Sequence, residues 1–174
     1  MSSGQSNQKK WGVVMKCYAK YYFDGVGTLT LGEDDGKLTD LHFASSGTHP
    51  GGDLMMSETP LLAEACRQLG EYFTGERKSF ELPLAPKGTP FQLRCWEALL
   101  RIPYGATTTY GDIARAVGSP KGFRAVGLAN NRNPIAIIIP CHRVIGSDGK
   151  LVGFGGGLDV KSFLLMHEAQ HLNQ

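Results

Sequence analysis

Five apolar residues, Ile135-Ala136-Ile137-Ile138-Ile139, run without a break into Pro140-Cys141-His142-Arg143-Val144. Such a run belongs in a core, and it reads as a buried strand or extended segment. A thiol therefore stands where a dry, rigid segment ends, with an imidazole beside it and a guanidinium next. Nucleophilic cysteine chemistry needs a base or positive charge to lower the thiol pKa, a fixed position and limited access. This order of residues offers all three. The bland alternative is a buried structural Cys beside a surface His-Arg pair, since free Cys is commonly buried and inert. These residues alone leave the two readings evenly matched.

The flanks shift the balance. Tyr110-Gly111-Asp112-Ile113-Ala114 opens one helical segment, which Gly118-Ser119-Pro120 breaks. Phe123-Arg124-Ala125-Val126-Gly127-Leu128-Ala129-Asn130 opens a second, which Asn133-Pro134 ends. Two short helices about a Gly-containing turn read as a helix-turn-helix, a unit that docks on DNA. Charge agrees with this. Residues 1–86 carry 8 Lys/Arg against 11 Asp/Glu, and residues 87–174 carry 10 against 5. The basic half is the one with the two helices, as a polyanion partner requires, although a small excess of this kind is often only a solvated surface.

Thr89-Pro90 is a cap and first-turn Pro for a helix with Phe91, Cys95, Trp96 and Leu99 inward. Upstream, Thr28–Leu31 and Leu38–Phe43 are paired-strand candidates, with turns at Asp24-Gly25 and Asp34-Asp35-Gly36. Pro60 to Phe73 has helical periodicity, and Gly75 ends it. Phe80-Glu81-Leu82 is a short strand candidate. Pro83, Pro86 and Gly88 punctuate a linker, which places a domain boundary near residue 86. Residues 1–10 read as disordered, 11–86 as an α/β domain and 87–174 as a mainly helical one. A final helix is expected from about Asp159 to Leu172.

Four Cys (Cys17, Cys66, Cys95, Cys141) have no metal-type spacing, and the N-terminus is polar. A disulfide framework and a signal peptide are not expected, and a reducing intracellular compartment is. No apolar run approaches the roughly 20 residues that span a membrane.

With Gly88-Thr89-Pro90-Phe91-Gln92, Trp96, Ile102-Pro103-Tyr104-Gly105, Tyr110, Arg124-Ala125-Val126-Gly127, Asn133-Pro134 and the Pro-Cys-His-Arg-Val block in this order, the chain resembles the O6-alkylguanine-DNA alkyltransferase family. The resemblance covers about Gly88 to Glu168, and Gly153–Gly157 and Lys161–Glu168 continue it. It implies a ribonuclease H-like small sheet domain followed by a helical, winged-helix-like domain. It implies direct repair of double-stranded DNA: Cys141 takes an alkyl group from O6 of a flipped-out guanine, once, without a cofactor. Some members hold a structural zinc with Cys and His of the first domain, but Cys17, His42, His49 and Cys66 do not match its four ligands, so no required metal is expected. The chain is expected to act as a monomer, away from membranes, in the nucleus if eukaryotic and in the cytoplasm or nucleoid if prokaryotic.

The resemblance also assigns roles. A water would link the Cys141 thiol to His142, with Glu168 orienting the imidazole. Tyr110 would help rotate the nucleotide and donate a proton to guanine N3. Asn133 would brace the turn beside the thiol. Arg124 would fill the space left in the base stack, with the small residues Ala125, Gly127 and Ala129 allowing close approach to the minor groove. The carbonyls of Cys141 and Val144 would accept from the guanine 2-amino group, and Phe154, Gly155 and Gly156 would form the pocket lip. Many relatives have Tyr where Phe154 stands and Ser where Gly155 stands, so a side-chain hydroxyl contact to O6 is missing here. Taken alone, His142 reads rather as a satisfied core histidine and Glu168 as a solvated helix residue, and Tyr110 has the alternative of a core tyrosine and Arg124 of an ordinary phosphate contact or surface charge. Two other functions remain: a damage sensor on the same fold, which the presence of Cys141 opposes, and a Cys-His hydrolase, for which no oxyanion-hole motif is evident.

Overall fold

The computed structural model describes residues 16–47 and 55–174. The expected disorder of residues 1–10 and much of the Ser45–Ser57 loop lie outside the described residues.

The first half is a sheet with a helix on it. Strands β1 (Cys17–Phe23), β2 (Gly27–Asp34) and β3 (Lys37–Phe43) form an antiparallel meander. Asp35 and Gly36 both have positive φ (51° and 71°), the two-residue hairpin geometry that suits the right-handed twist of its strands. The short β4 (Met55–Met56) adds to β1 in parallel, giving the order β3-β2-β1-β4. Helix α1 (Pro60–Phe73) starts at Thr59, whose side chain accepts from Leu62 N at 3.2 Å. It lays Leu62, Ala65, Leu69 and Tyr72 into the core, over Leu29, Leu31, Leu38 and Leu41 of the sheet.

Phe80-Glu81-Leu82 does not form the expected strand. The backbone of Glu81 is instead paired by one side chain, with Gln68 Oε1 accepting from its N–H at 2.9 Å and Gln68 Nε2 donating to its carbonyl at 3.1 Å. Only Leu84 makes a bridge, to Leu38.

The second half is helical. Helix α2 (Pro90–Leu100) opens with a reciprocal capping box between Thr89 and Gln92. The two-residue β5 (Thr108–Thr109) leads into α3 (Tyr110–Ala116), and α4 (Phe123–Asn131) follows a turn through Gly118 at φ 76°. These helices pack on α2, and Trp96 donates from Nε1 to the Ala129 carbonyl at 2.9 Å. Strand β6 (Val144–Ile145) pairs in parallel with β5, and α5 (Leu158–Gln170) closes the chain. Among the described residues no helix is long and apolar enough to cross a membrane.

The halves are sewn together along the outer edge of β3. Leu41 donates to the Pro134 carbonyl at 2.8 Å and accepts from Ala136 N at 3.2 Å. Leu38 pairs with Pro83 and Ala85 further along the same edge, so together the two contacts cover an edge that would otherwise be open.

The run Ile135–Ile139 is buried, as its composition requires, but it is not a strand. Ile138 N donates to the Ala136 carbonyl at 2.8 Å, a three-residue turn centred on Ile137 with φ 69°. A second such turn, centred on Pro140 at φ −83° and ψ 62°, joins Cys141 N to the Ile139 carbonyl at 2.8 Å. A β-branched residue at positive φ is strained by about 1–3 kcal/mol. The burial of Ile135, Ile137 and Ile139, each no more than 1% exposed, holds it there. Only the first residue of the run makes a ladder contact, to Leu41, before the chain turns away.

Candidate active site

Cys141 begins a single 3-10 turn, Cys141–Arg143, between those tight turns and β6. Asn133 fixes the approach from the other side. Its Nδ2 donates to the Ile139 carbonyl at 2.8 Å, and its Oδ1 accepts from Ile135 N at 3.0 Å. One amide thus ties both ends of the apolar run.

The thiol is 5% exposed and opens into a cavity of about 370 Å³. Asn130, Asn133, Ala136, Phe154, Gly155 and Gly156 share its lining with Leu41, His42, Phe43 and Ser46 of the first half. The lip is held across the two halves by the Phe43–Phe154 ring pair, with centroids 5.6 Å apart, and by Ser45 donating to the Gly156 carbonyl at 3.4 Å. A Cβ on Gly156 would meet the Phe43 ring at 2.8 Å, so this position requires glycine for close approach.

Behind the thiol lies a charged, buried cluster. His142 donates from Nε2 to Glu168 Oε1 at 2.7 Å, and both residues have no exposed surface. This fixes the tautomer: Nδ1 is then the acceptor nitrogen, and it is buried with no partner among the protein atoms. Arg143 grips the same carboxylate, with Nε to Oε2 at 2.9 Å and Nη2 to Oε1 at 3.0 Å. Gly105 N donates to Oε2 at 3.0 Å. Arg143 is thus not part of a surface His-Arg pair. Its remaining arm reaches the Ile102 carbonyl at 2.7 Å.

The electrostatics follow from burial and these contacts. Burial pushes the Cys141 thiol up, against the pull of the Asn133 side chain and the Lys161 charge. Burial lowers His142 below the ordinary imidazole value despite Glu168, and the Arg143 and Lys161 charges add to that. The imidazole is therefore neutral and able to accept a proton. For Glu168, burial alone would raise the carboxyl, but the hydrogen bonds from His142 and Arg143 and the Arg143 charge win and hold it far below the carboxylate range.

Tyr110 lines a neighbouring cavity of about 490 Å³ together with Phe123, Arg124, Gly127, Leu128, Val152 and Gly153. Asn131 lines both cavities, so they adjoin. The Tyr110 hydroxyl donates to the Val152 carbonyl at 2.9 Å, and Lys161 Nζ approaches it at 3.4 Å. Arg124 projects from the first turn of α4, exposed, with its guanidinium 5.8 Å from the Phe123 ring centre.

Two sequence expectations need correction. Ala129 is 1% exposed, on the face of α4 turned toward α2, so it cannot meet a DNA groove; Ala125 and Gly127 remain on the outer side. Residue 129 lies one turn from both the exposed Ala125 and the buried Val126, so it is the packing on α2 that draws it inward. Val144 is completely buried and does not line the thiol cavity; its carbonyl accepts from Lys161 Nζ at 2.6 Å.

Lys161 is a site residue that sequence reasoning missed, and Arg143, read there as a charge beside the thiol, grips Glu168 instead. Lys161 has no exposed surface, and burial lowers its pKa. Its only sequence signal is a lysine on α5 one helical turn before Leu164 and Leu165, which reads as ordinary amphipathic spacing. Asn130 was also missed: it is 6% exposed, it lines the thiol cavity, and its amide atoms are buried.

Two family descriptions match in tandem. Residues 17–86 match the ribonuclease-like domain of 6-O-methylguanine DNA methyltransferase, and residues 90–170 match its DNA binding domain. The chain belongs to the 6-O-methylguanine DNA methyltransferase family. A constitutive methylated-DNA–protein-cysteine methyltransferase of Bacillus subtilis is 50% identical over 145 residues, covering 80% of this chain and 88% of the relative. The Methanosarcina barkeri protein of the same name is 64% identical over 109 residues, covering 63% of this chain and 69% of the relative. Among solved structures, the O6-methylguanine methyltransferase of Mycobacterium tuberculosis superposes with a TM-score of 0.83 at 44% identity, over 90% of this chain and 94% of that one. The same protein in complex with DNA gives 0.82, over 89% and 94%.

Proposed function

We propose that this protein is a methylated-DNA–protein-cysteine S-methyltransferase that repairs O6-alkylguanine in double-stranded DNA by a single, irreversible transfer to Cys141. The observation that carries the reading is the Cys141 thiol facing a base-sized cavity, backed by a neutral imidazole locked on a buried carboxylate and adjoining the outer face of a helix-turn-helix.

The thiolate sulfur forms a bond to the alkyl carbon as the bond from that carbon to guanine O6 breaks. The thiol proton passes to His142 Nδ1 through a bridging water, and Glu168 stabilises the imidazolium that results. Guanine leaves as its 6-oxo anion and takes a proton. Tyr110 serves as the donor toward N3 once its hydroxyl leaves the Val152 carbonyl. A base inside the duplex cannot reach a thiol this deep, so it is extruded, and Arg124 occupies the gap. Asn133 keeps the thiol turn in place, Phe154 covers the flipped base, and Gly155 and Gly156 leave room for the alkyl group. Ala125 and Gly127 let the α4 backbone come close to the minor groove. A thioether is a poor leaving group, so the protein acts once, as a monomer and without a cofactor. The functional division falls near residue 86, with the acceptor and DNA-docking residues beyond it. A free reactive thiol suits a reducing interior, the nucleus in a eukaryote or the cytoplasm and nucleoid in a prokaryote.

The test is incubation with a duplex carrying one O6-methylguanine, followed by intact-protein and peptide mass. One methyl group per protein on the peptide containing Cys141 is expected, with none in Cys141→Ser. Repeated turnover with unmodified protein recovered would overturn the reading and revive the hydrolase alternative.

A further inference from the structure

The buried carboxylate behind the thiol is held from both halves of the molecule. Tyr72, in the last turn of α1, donates from its hydroxyl to Glu168 Oε1 at 2.8 Å. This is the same oxygen that accepts His142 Nε2 at 2.7 Å. Tyr72 has no exposed surface. Its ring is fixed by aromatic neighbours on several elements: Phe73 at 5.2 Å, Phe80 at 5.5 Å, Tyr104 at 6.0 Å and His167 at 5.3 Å between centroids. Its own carbonyl accepts from His167 Nε2 at 2.7 Å. Consecutive residues of α5, His167 and Glu168, are therefore clamped to one residue of α1.

A buried tyrosine needs a partner for its hydroxyl, and almost any acceptor would serve that end. The choice made here is more particular. Arg143 and Gly105 supply donors to Oε2, and without Tyr72 only Arg143 would help His142 to orient Oε1. A phenol donating to Oε1 fixes the carboxylate rotation and disperses the negative charge that faces the imidazole. We propose that Tyr72 is a positioning residue of the alkyl-transfer site, through which the sheet half of the molecule sets the orientation and strength of the Glu168–His142 pair. The inference rests on His142 being the base for Cys141.

The direction of the effect follows from the groups around the pair. Glu168 is faced by Tyr72 from α1, by His142 and Arg143 from the thiol turn, and by Gly105 N with the Tyr104 ring nearby. His142 is faced by Glu168 and feels the Arg143 and Lys161 charges. Removing the phenol leaves more negative charge on Oε1, so the imidazole holds a proton up to higher pH, and the neutral base that the relay needs is lost at higher pH. The carboxylate is also less firmly held, so the maximal rate falls.

The experiment is the rate of methyl transfer from an O6-methylguanine duplex to the full chain, measured between about pH 5.5 and 9, around the ordinary imidazole and thiol values. Tyr72→Phe keeps the ring and removes one hydrogen bond. The acid-side midpoint of its profile is expected to move to higher pH, and its plateau rate to fall by about 3–10-fold, the size of one such bond. A fluorinated tyrosine at position 72, with a more acidic phenol in the same shape, is expected to move the midpoint the other way. In a His142→Ala background, Tyr72→Phe is expected to cost nothing further. A profile that coincides with the parent's in both 72 variants would overturn the proposal while leaving the relay intact. So would a loss in the His142→Ala background equal to that in the parent, because Tyr72 would then act on the fold alone. If His142→Ala itself leaves rate and profile unchanged, the relay reading fails first and the proposal falls with it.

Discussion

Among the described residues Glu168 gathers donors from Tyr72, Gly105, His142 and Arg143, and its behaviour with pH follows from them. Its carboxyl is held far below the ordinary value of 4.5. As pH falls, the unfolded chain therefore takes up this proton before the folded one does. The stabilisation is complete above the unfolded value and drains away as pH drops through the folded one. Glu168→Gln keeps the shape but leaves Arg143 charged and uncompensated in the interior, at a cost of about 3–5 kcal/mol at neutral pH. Urea unfolding from about pH 3 to pH 7 is expected to show a steep acid limb in the parent and a shallower one in the variant. Parallel limbs would remove Glu168 from the account. At this scale the sequence was legible where chemistry is local. Cys141, His142 and Asn133 lie within nine positions of one another, and the apolar run announces their burial. Tyr72, Lys161 and the buried role of Arg143 were not legible. Their importance depends on which carboxylate or carbonyl the fold brings to them, and nothing in an amphipathic helix names its distant partner.

At the scale of elements, hairpin and helix boundaries could be read because their signals are short-range: Asp35-Gly36 for the hairpin and Thr89-Pro90 for the start of α2. The apolar run was misread for the opposite reason. Burial alone does not separate a strand from a chain of tight turns, and only the Asn133 amide and the surrounding core make the second conformation hold. Helix α4 divides its residues by face. Val126, Ala129 and Asn130 turn inward, while Arg124 and Ala125 face out. Arg124→Ala is thus expected to fold normally and to slow repair of duplex substrate by at least about tenfold, on the order of one lost base-step contact. Its reaction with free O6-alkylguanine base is expected to change little, since nothing has to be extruded. Equal losses on both substrates would place Arg124 in the chemistry or the fold. Duplex affinity is also expected to fall as salt rises, because phosphate contacts release counterions.

The whole molecule is arranged so that the thiol segment has little slack. β3 pairs with its start, Asn133 ties its ends, β5 pairs beyond it, and α5 supplies the carboxylate behind it. An alkyl group fixed on Cys141 adds volume where the chain is already tight, at a cost of about 1–3 kcal/mol. For a chain of this size that lowers the melting temperature by about 2–12 °C. Thermal melting before and after reaction with a methylated duplex checks this, and an unchanged or higher value would show that the cavity takes the group without strain. The same burial has an effect long before any lesion arrives. Oxidants attack exposed thiolates, and sulfenic acid forms fastest where the thiol is both ionised and open. In the resting protein Cys141 is neither: it is 5% exposed, and burial keeps it protonated. A nucleophile that can be used only once is thereby kept from peroxide during the wait, and the barrier that slows its waste is lowered only when a base enters the cavity and the imidazole takes the proton.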